Sequence, residues 1–246
     1  MAQPQADEHR VEFDDARGAG AIVFDAWHGG APRQEWFDPG YWGAAASAVT
    51  TGGRGAAHFI DAPFGACVLR HYRRGGWAAR VSAASYFWQG EKHVRSVAEF
   101  RLTREALARG VSAPVPVAAC YWRRGLGYRA ALLMRRLPGT RTLADLALDG
   151  AAPWEAAGML VARTHRAGLD HADLNADNLL FDATQTGWVI DLDRARLREP
   201  AEGWRERNLA RLSRSLLKRR GSLDCSRVAA DFARLRHAYD LEWSRA

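Results

Sequence analysis

The first half of the chain carries short apolar runs separated by turn residues. The runs are residues 21–24, 57–60, 66–70, 115–121 and 130–134. Pro63 and Gly65 lie between two of them at the spacing of a hairpin turn. Short apolar runs joined by tight turns predict an antiparallel β-sheet in this part of the chain.

The second half shows helical spacing instead. Residues 96–109 place Val97 and Phe100 on one face with charged residues between them, and Gly110 ends the pattern. Further helices are predicted at residues 142–148, 153–167, 203–219 and 225–239, with short strands at 179–181 and 188–190. A sheet followed by helices predicts an α+β fold. We expect an N-terminal extension at 1–19, a β-rich N-lobe at 20–138 and a helical C-lobe at 139–246.

A loop in the second half carries the residue types that phosphoryl transfer needs. His171 and Asp173 are followed by Asn178, and an apolar strand then leads directly into Asp191. A carboxylate can accept the proton of an attacking hydroxyl, and carboxylate and amide oxygens bind Mg²⁺. We therefore predict Asp173 as catalytic, with Asn178 and Asp191 as ligands of one or two metal ions. The alternative is a structural loop in which Asp173 caps a helix and Asn175 and Asn178 form turns.

Two glycines in the first half are candidates for nucleotide binding. Gly53 and Gly55 lie between two predicted strands, where a backbone without Cβ atoms can approach phosphate closely. The third glycine of the kinase pattern G-x-G-x-x-G is absent, and His58 holds its position. The signal is therefore weak by itself, because glycine-rich hairpins are common.

A cation and a carboxylate form the second nucleotide feature. Arg70 ends a predicted strand, and Glu99 lies in the helix that follows. Kinases hold the nucleotide phosphates with a strand lysine that is paired with a helix glutamate. Arg70 can supply the same charge through a wider fork. Lys92 is the rival cation, although it lies in a stretch without strand character.

The loop from His171 to Asn178, together with residues 189–194, resembles the lipopolysaccharide kinase family. Four further stretches carry the same resemblance, namely residues 53–55, 68–76, 137–143 and 208–216. The similarity extends from Gly20 to Tyr239. The loop alone would also fit aminoglycoside-type phosphotransferases, and it is stretches 68–76 and 208–216 that narrow the choice.

The resemblance implies a protein-kinase-like fold with the active site between two lobes. It implies transfer of the γ-phosphate of ATP, with Mg²⁺, to the 4-hydroxyl of a 3-deoxy-D-manno-octulosonic acid (Kdo) residue on a lipid A precursor, in lipopolysaccharide core biosynthesis. Asp173 then matches the catalytic position, and Asn178 and Asp191 match the metal positions. A heptose kinase or another small-molecule kinase of this fold is one alternative. A non-catalytic binding protein is another, although such a protein has no need of all three residues.

The charge of the chain bears on its partners. The formal net charge is +7, which attracts polyanions such as nucleic acid, anionic lipid or phosphorylated glycan. No nucleic-acid motif is present, so the resemblance favours a Kdo-lipid A type glycolipid and an anionic membrane surface. No apolar run approaches the ~20 residues of a spanning helix. We therefore expect a peripheral protein on the cytoplasmic side of the inner membrane.

Two basic and aromatic stretches are the candidates for membrane contact. The first contains Arg73, Arg74, Trp77, Arg80, Tyr86, Phe87 and Trp88. The second contains Trp204, Arg205, Arg207, Arg211, Arg214, Lys218, Arg219 and Arg220. Cations are attracted to anionic lipid, and Trp suits the membrane interface. The alternative for both stretches is an ordinary solvated helix face with its Trp in the core.

Overall fold

The computed structural model describes residues 8–25, 31–49, 57–72 and 86–245. The chain divides into two compact units. The first unit contains residues up to 104 together with 115–136, and the second contains residues 105–114 together with those from 137 onward.

Strands dominate the first unit and helices the second. The strands are β1 (Glu8–Asp15), β2 (Gly18–Asp25), β3 (Ala46–Ala48), β4 (Ala57–Ala62), β5 (Gly65–His71), β6 (Tyr86–Phe87), β7 (Pro116–Arg124), β8 (Gly127–Arg135), β9 (Arg141–Thr142), β10 (Leu169–His171), β11 (Leu179–Phe181), β12 (Gly187–Val189) and β13 (Ala195–Leu197). The helices are α1 (Pro39–Trp42), α2 (Arg95–Ala108), α3 (Leu143–Leu148), α4 (Trp154–Arg166), α5 (Glu202–Arg219) and α6 (Cys225–Trp243).

One antiparallel sheet organises the first unit. Its strand order among the described residues is β1-β2-β7-β8-β5-β4-β3, with β6 paired to β8. β2 is apolar at four successive positions, residues 21–24, as expected for a strand that is covered on both faces. Val23 belongs to the same buried cluster as Phe100 of α2, whereas Ile22 belongs to a cluster with Phe37. Alternate side chains of β2 therefore belong to two hydrophobic cores, one on each face of the sheet.

Two boundaries differ from the predicted ones. Residues 8–19, predicted as part of an extension, form β1 and the start of β2, which pair from Glu8 opposite Asp25 to Asp15 opposite Gly18. β1 is a polar edge strand, so it lacks the apolar run that marks the other strands. Residues 105–114, predicted within the first lobe, belong to the second unit, where Ser112 accepts a hydrogen bond of 2.9 Å from the Val189 amide.

Close packing of α4 against α6 forms the centre of the second unit. A Cβ placed on Gly158 of α4 would lie 2.2 Å from the Leu235 carbonyl oxygen and 2.8 Å from the Tyr239 nitrogen, both in the backbone of α6. The glycine therefore allows the two helix backbones to approach directly. Two small antiparallel sheets, β9-β11-β12 and β10-β13, complete this unit and carry the loop predicted to be catalytic.

The predicted helices of the second unit are present, and α6 continues beyond residue 239 to Trp243. α5 and α6 are amphipathic, with buried apolar residues such as Leu212 and Leu235 at helical spacing. Within the ranges that the structure describes, no helix has both the length and the apolar character needed to cross a bilayer.

Gly158→Ala is expected to destabilise the second unit by about 1–3 kcal/mol, because the new methyl group meets backbone atoms of α6 that cannot rotate away. Gly203→Ala in the first turn of α5 is the control, since its Cβ would meet only the Arg207 side chain, at 3.6 Å. There the higher helix propensity of alanine should leave stability unchanged or raise it by up to ~1 kcal/mol. Denaturant unfolding measures both effects, and equal stabilisation by the two variants would contradict the close approach.

Candidate active site

His171 joins the predicted loop to the β11–β12 hairpin. Its Nε2 atom lies 3.0 Å from the Ile190 carbonyl oxygen. A carbonyl only accepts hydrogen bonds, so the ring carries its proton on Nε2 and donates it. Burial lowers the pKa of His171, which keeps the imidazole neutral near pH 7. The Leu174 amide donates to the His171 carbonyl at 2.9 Å, so this residue also supports the turn that follows.

Asn175 organises the middle of the loop. Its Oδ1 accepts hydrogen bonds from the amides of Asp177 at 2.9 Å and Asn178 at 3.1 Å, and its Nδ2 donates to the Asp173 carbonyl at 2.9 Å. A side chain that replaces backbone partners in this way is a turn former. The turn-forming role weighed for Asn175 is therefore present.

Asn178 and Asp191 are brought together by the hairpin. Asn178 directly precedes β11, and its carbonyl accepts a hydrogen bond of 3.0 Å from the Ile190 amide. Asp191 is the next residue after Ile190, so the two predicted ligands are neighbours across the strand pair. Asp191 adopts φ 61° and ψ 63°, the left-handed region, which costs a non-glycine residue about 1–3 kcal/mol. Such strain clusters at functional sites.

The donor set suits a partly protein-bound magnesium ion. The Asn178 Nδ2 donates to the Asp173 carbonyl at 3.0 Å, which leaves the amide oxygen as the atom able to bind a cation. Mg²⁺ commonly takes one or two protein oxygens and completes its shell with substrate phosphates and water. In the described ranges, no group of three or more His, Cys, Asp and Glu side chains could hold a metal ion. The Asn178 amide and the Asp191 carboxylate therefore fit such a shared ion.

Asn208 of α5 is buried beside the start of the loop. Its Oδ1 accepts a hydrogen bond from the His171 amide at 2.9 Å, and its Nδ2 donates to the Asp170 carboxylate at 2.9 Å and to the Trp204 carbonyl at 3.1 Å. Buried polar groups need such partners, because an unpaired one costs about 1–3 kcal/mol. Asn208 therefore attaches the loop to α5.

The same helix reaches the predicted catalytic residue. Arg211 Nη2 donates to Asp173 Oδ1 and forms an ion pair with it. One turn further along, Ser215 Oγ accepts a hydrogen bond of 2.9 Å from the Ala176 amide. α5 thus holds the loop at its start, at its carboxylate and at its end.

These contacts were missed by the reasoning from sequence. Asn208, Arg211, Ser215 and Arg219 are three, four and four positions apart, so they share one side of the helix. Arg219, the last of them, pairs with Asp177 at 3.1 Å. A row of polar residues at helical spacing beside the buried leucines was the signal that could have revealed them.

The first unit brings Arg70, at the end of its strand, and Glu99, in the helix that follows, into contact. Arg70 Nη2 donates to Glu99 Oε2, and the Glu99 side chain is only 1% exposed. Tyr72, which the sequence did not single out, donates its hydroxyl to the same carboxylate oxygen. Burial raises the pKa of Tyr72, so its hydroxyl remains a donor at neutral pH. The Arg70 guanidinium also lies 4.8 Å from the centre of the Tyr72 ring.

The structure gives less support to the other residues considered for nucleotide binding. Gly53 and Gly55 lie outside the described residues. Lys92 is exposed in the short turn Glu91–His93 that precedes α2, and no ion pair of Lys92 is present in the described part of the chain. Arg70 is therefore the cation that the structure pairs with Glu99.

The structure describes only some residues of the two basic and aromatic stretches. Arg73, Arg74, Trp77 and Arg80 lie outside the described residues. For Trp204 the alternative with the Trp in the core holds: it is 2% exposed and its Nε1 donates to the Glu199 carbonyl at 3.0 Å. The apolar face of α5 takes Trp204 into the core. Arg207, Arg214 and Lys218 are exposed on another face, without an acidic partner among the described residues.

Comparison with known proteins gives a consistent result. The family model described as "Lipopolysaccharide kinase (Kdo/WaaP) family" matches residues 40–239. The 3-deoxy-D-manno-octulosonic acid kinase of Xanthomonas campestris pv. campestris (strain B100) is 56% identical, over 100% of this chain and 99% of the relative. The protein of the same name from Stenotrophomonas maltophilia (strain K279a) is 54% identical over the same shares.

A solved structure, described as "WaaP in complex with acyl carrier protein", matches with a TM-score of 0.50 and 19% identity. The match covers 91% of this chain and 98% of the solved one. At this identity the likeness concerns the fold, and it confirms the α+β, kinase-like fold class predicted from the sequence.

Proposed function

The chain belongs to the lipopolysaccharide kinase (Kdo/WaaP) family, and on that premise we propose that it is a Kdo kinase. It would transfer the γ-phosphate of ATP to the 4-hydroxyl of a Kdo residue on a lipid A precursor. The observation that carries this proposal is a chain of two hydrogen bonds: Asn178 Nδ2 donates to the Asp173 carbonyl, and the Asn178 carbonyl accepts from the amide of Ile190, the residue before Asp191. This is the residue set that phosphoryl transfer to an alcohol requires.

In the proposed reaction Asp173 orients the acceptor hydroxyl and takes its proton. The hydroxyl oxygen forms the new bond to the γ-phosphorus, the bond from phosphorus to the ADP oxygen breaks, and the proton passes to the Asp173 carboxylate. A magnesium ion held by Asn178 and Asp191 would neutralise phosphate charge. We assign His171 the role of holding the loop: its Nε2–H donates a hydrogen bond to the Ile190 carbonyl, and burial lowers its pKa.

Arg70 is proposed as the residue that grips the nucleotide phosphates. Its guanidinium has five N–H donors, and Glu99 and Tyr72 hold it in place from the buried side. A side chain fixed in this way loses little further freedom when it binds an anion. Exposed Lys92 lacks that support.

Peripheral binding to the cytoplasmic side of the inner membrane is the third part of the proposal. The acceptor is an anionic glycolipid, and α5 presents an exposed cationic face at Arg207, Arg214 and Lys218. Near an anionic surface each such cation contributes about 1 kcal/mol. No aromatic anchor on α5 supports this contact, since Trp204 is buried.

Mass spectrometry of a Kdo-lipid A precursor incubated with the protein and Mg-ATP is expected to show one added phosphate, located on Kdo. Asp173→Asn should lower kcat by about 10²–10⁴-fold, because the proton acceptor is lost, while ATP still binds. Asp149→Asn, which changes an exposed carboxylate paired with Arg141, is the matched control with unchanged kcat. A Kdo residue left without added phosphate would contradict the proposal and favour the alternative kinase, and full activity of Asp173→Asn would remove the assignment.

Arg70→Ala is expected to raise the KM for ATP by roughly 10–100-fold, the value of a hydrogen bond to a charged group. Arg70→Lys retains the charge without the fork and should fall between wild type and Arg70→Ala. Lys92→Ala provides the comparison and should leave the KM near that of the wild type. Initial rates at varied ATP measure all three, and a larger rise for Lys92→Ala would transfer the role to Lys92.

Sedimentation with liposomes tests the membrane contact. Binding should increase with the fraction of anionic lipid and decrease with salt. Replacement of Arg207, Arg214 and Lys218 together by Ala should weaken binding by roughly 100-fold, from three contributions of about 1 kcal/mol each. Binding that does not change with the fraction of anionic lipid or with salt would exclude electrostatic attraction between α5 and the membrane.

A further inference from the structure

Arg211 is the residue whose position the proposed reaction does not yet explain. It forms an ion pair with Asp173, the residue that would take the acceptor proton, although a catalytic carboxylate needs no partner of this kind to accept one. The Arg211 side chain is 46% exposed and that of Asp173 is 30% exposed, so the pair is open to solvent. An exposed pair adds at most ~1 kcal/mol to stability. Stability alone is therefore a weak reason for this arginine.

The Arg211 guanidinium has more N–H donors than its contact with Asp173 uses. Arginine carries five N–H groups in a rigid fork, and among the described residues only Nη2 is engaged, with Asp173 Oδ1. The remaining N–H groups can bind a second anion, and a planar fork suits a carboxylate. A ligand carboxylate on Arg211 would lie directly beside the catalytic carboxylate.

The position of Arg211 is fixed by its helix. Asn208 and Ser215, on the same side of α5, hydrogen-bond to the His171 and Ala176 amides at either end of the loop. Arg211 is therefore held at a constant distance from the loop, and a site built on a helix is more precise than one on a free loop. Precise placement is what recognition of a substrate group beside the reacting atom requires.

The chemistry of the proposed acceptor supplies the matching anion. A 3-deoxy-octulosonic acid carries its carboxylate at C1, and only C2 and C3 separate that carbon from C4, which bears the reacting hydroxyl. A neutral heptose lacks this carboxylate. A cation beside the proton acceptor would thus recognise the acid group of the same sugar ring.

We propose that Arg211 binds the carboxylate of the acceptor sugar and so places its hydroxyl at the free side of Asp173. The inference rests on the proposed function and names the residue that selects an acidic sugar. Asp173 Oδ1 stays on Arg211, and Oδ2 receives the hydroxyl proton. Arg211 is then a substrate-binding residue that determines specificity.

The test compares Kdo-lipid A with the same acceptor whose Kdo carboxylate is converted to its methyl ester. The wild type should show a KM for the ester roughly 10–100-fold higher, because one charged hydrogen-bonded pair is lost. Arg211→Ala should raise the KM for the acid by a similar factor, leave the KM for ATP unchanged and no longer distinguish acid from ester. That non-additivity is the signature of direct contact. Arg211→Lys should restore part of the preference.

Arg234→Ala is the matched control, since Arg234 is a 53% exposed arginine paired with Glu155 away from the loop. It should keep the wild-type preference. An equal fall in kcat on both acceptors for Arg211→Ala, with the preference intact, would overturn the inference and leave Arg211 as a positioning residue. A wild type that uses both acceptors equally would overturn it without any variant. A wild type that phosphorylates neither acceptor would refute the proposed function itself.

Discussion

A loop without regular structure must still satisfy its buried backbone groups, and this constraint shapes the second unit. Residues 172–175 lie between β10 and the short turn Ala176–Asn178, where helix and strand ladders are absent. The amides that flank this stretch find acceptors in side chains instead: Asn208 accepts from His171, Ser215 from Ala176, and Asn175 from Asp177. Each unpaired group would cost about 1–3 kcal/mol. The same bonds that remove this cost hold Asp173 and Asn178 at fixed positions.

The hairpin β11–β12 also fixes the position of Asp191, because it anchors the preceding residue, Ile190. Its last ladder contact joins the Asn178 carbonyl to the Ile190 amide, and His171 holds the Ile190 carbonyl from the other side. Ile190 is thus fixed at both of its polar backbone groups. Asp191 follows in a left-handed conformation that a loosely held chain would abandon. The strain at Asp191 is therefore supported by the hydrogen bonds at its neighbour.

In the first unit a buried carboxylate, that of Glu99, holds Arg70 in place. Glu99 is almost fully enclosed, and a buried charge is tolerated only when it is paired and hydrogen-bonded. Arg70 supplies the charge and Tyr72 a second donor. Arginine at a position where kinases usually have lysine is consistent with this arrangement, because its fork can serve the glutamate and still present N–H groups elsewhere.

The elements with regular burial and the residue types of the candidate site follow from local patterns in the chain. The apolar run of β2 and the helical spacing of α2 are local patterns, and the spacing of Asp173, Asn178 and Asp191 is the local pattern from which the base and the oxygen ligands are proposed. Local patterns also explain what was missed, since polar β1 has no apolar run, and the pattern left open whether Trp204 lies at a membrane or in the core, where the structure places it.

The side chains that surround the candidate residues are set by packing between elements that are distant in the chain. Arg211 lies 38 positions from Asp173, and Tyr72 lies 27 positions from Glu99. Neither contact follows from the periodicity of a single element, because periodicity states which residues share a face and does not state what that face touches. The partner of a helix face is set by how the elements pack. In this chain, packing places Asn208 and Ser215 of α5 against the loop. Arg207, Arg214 and Lys218 of the same helix remain exposed to solvent.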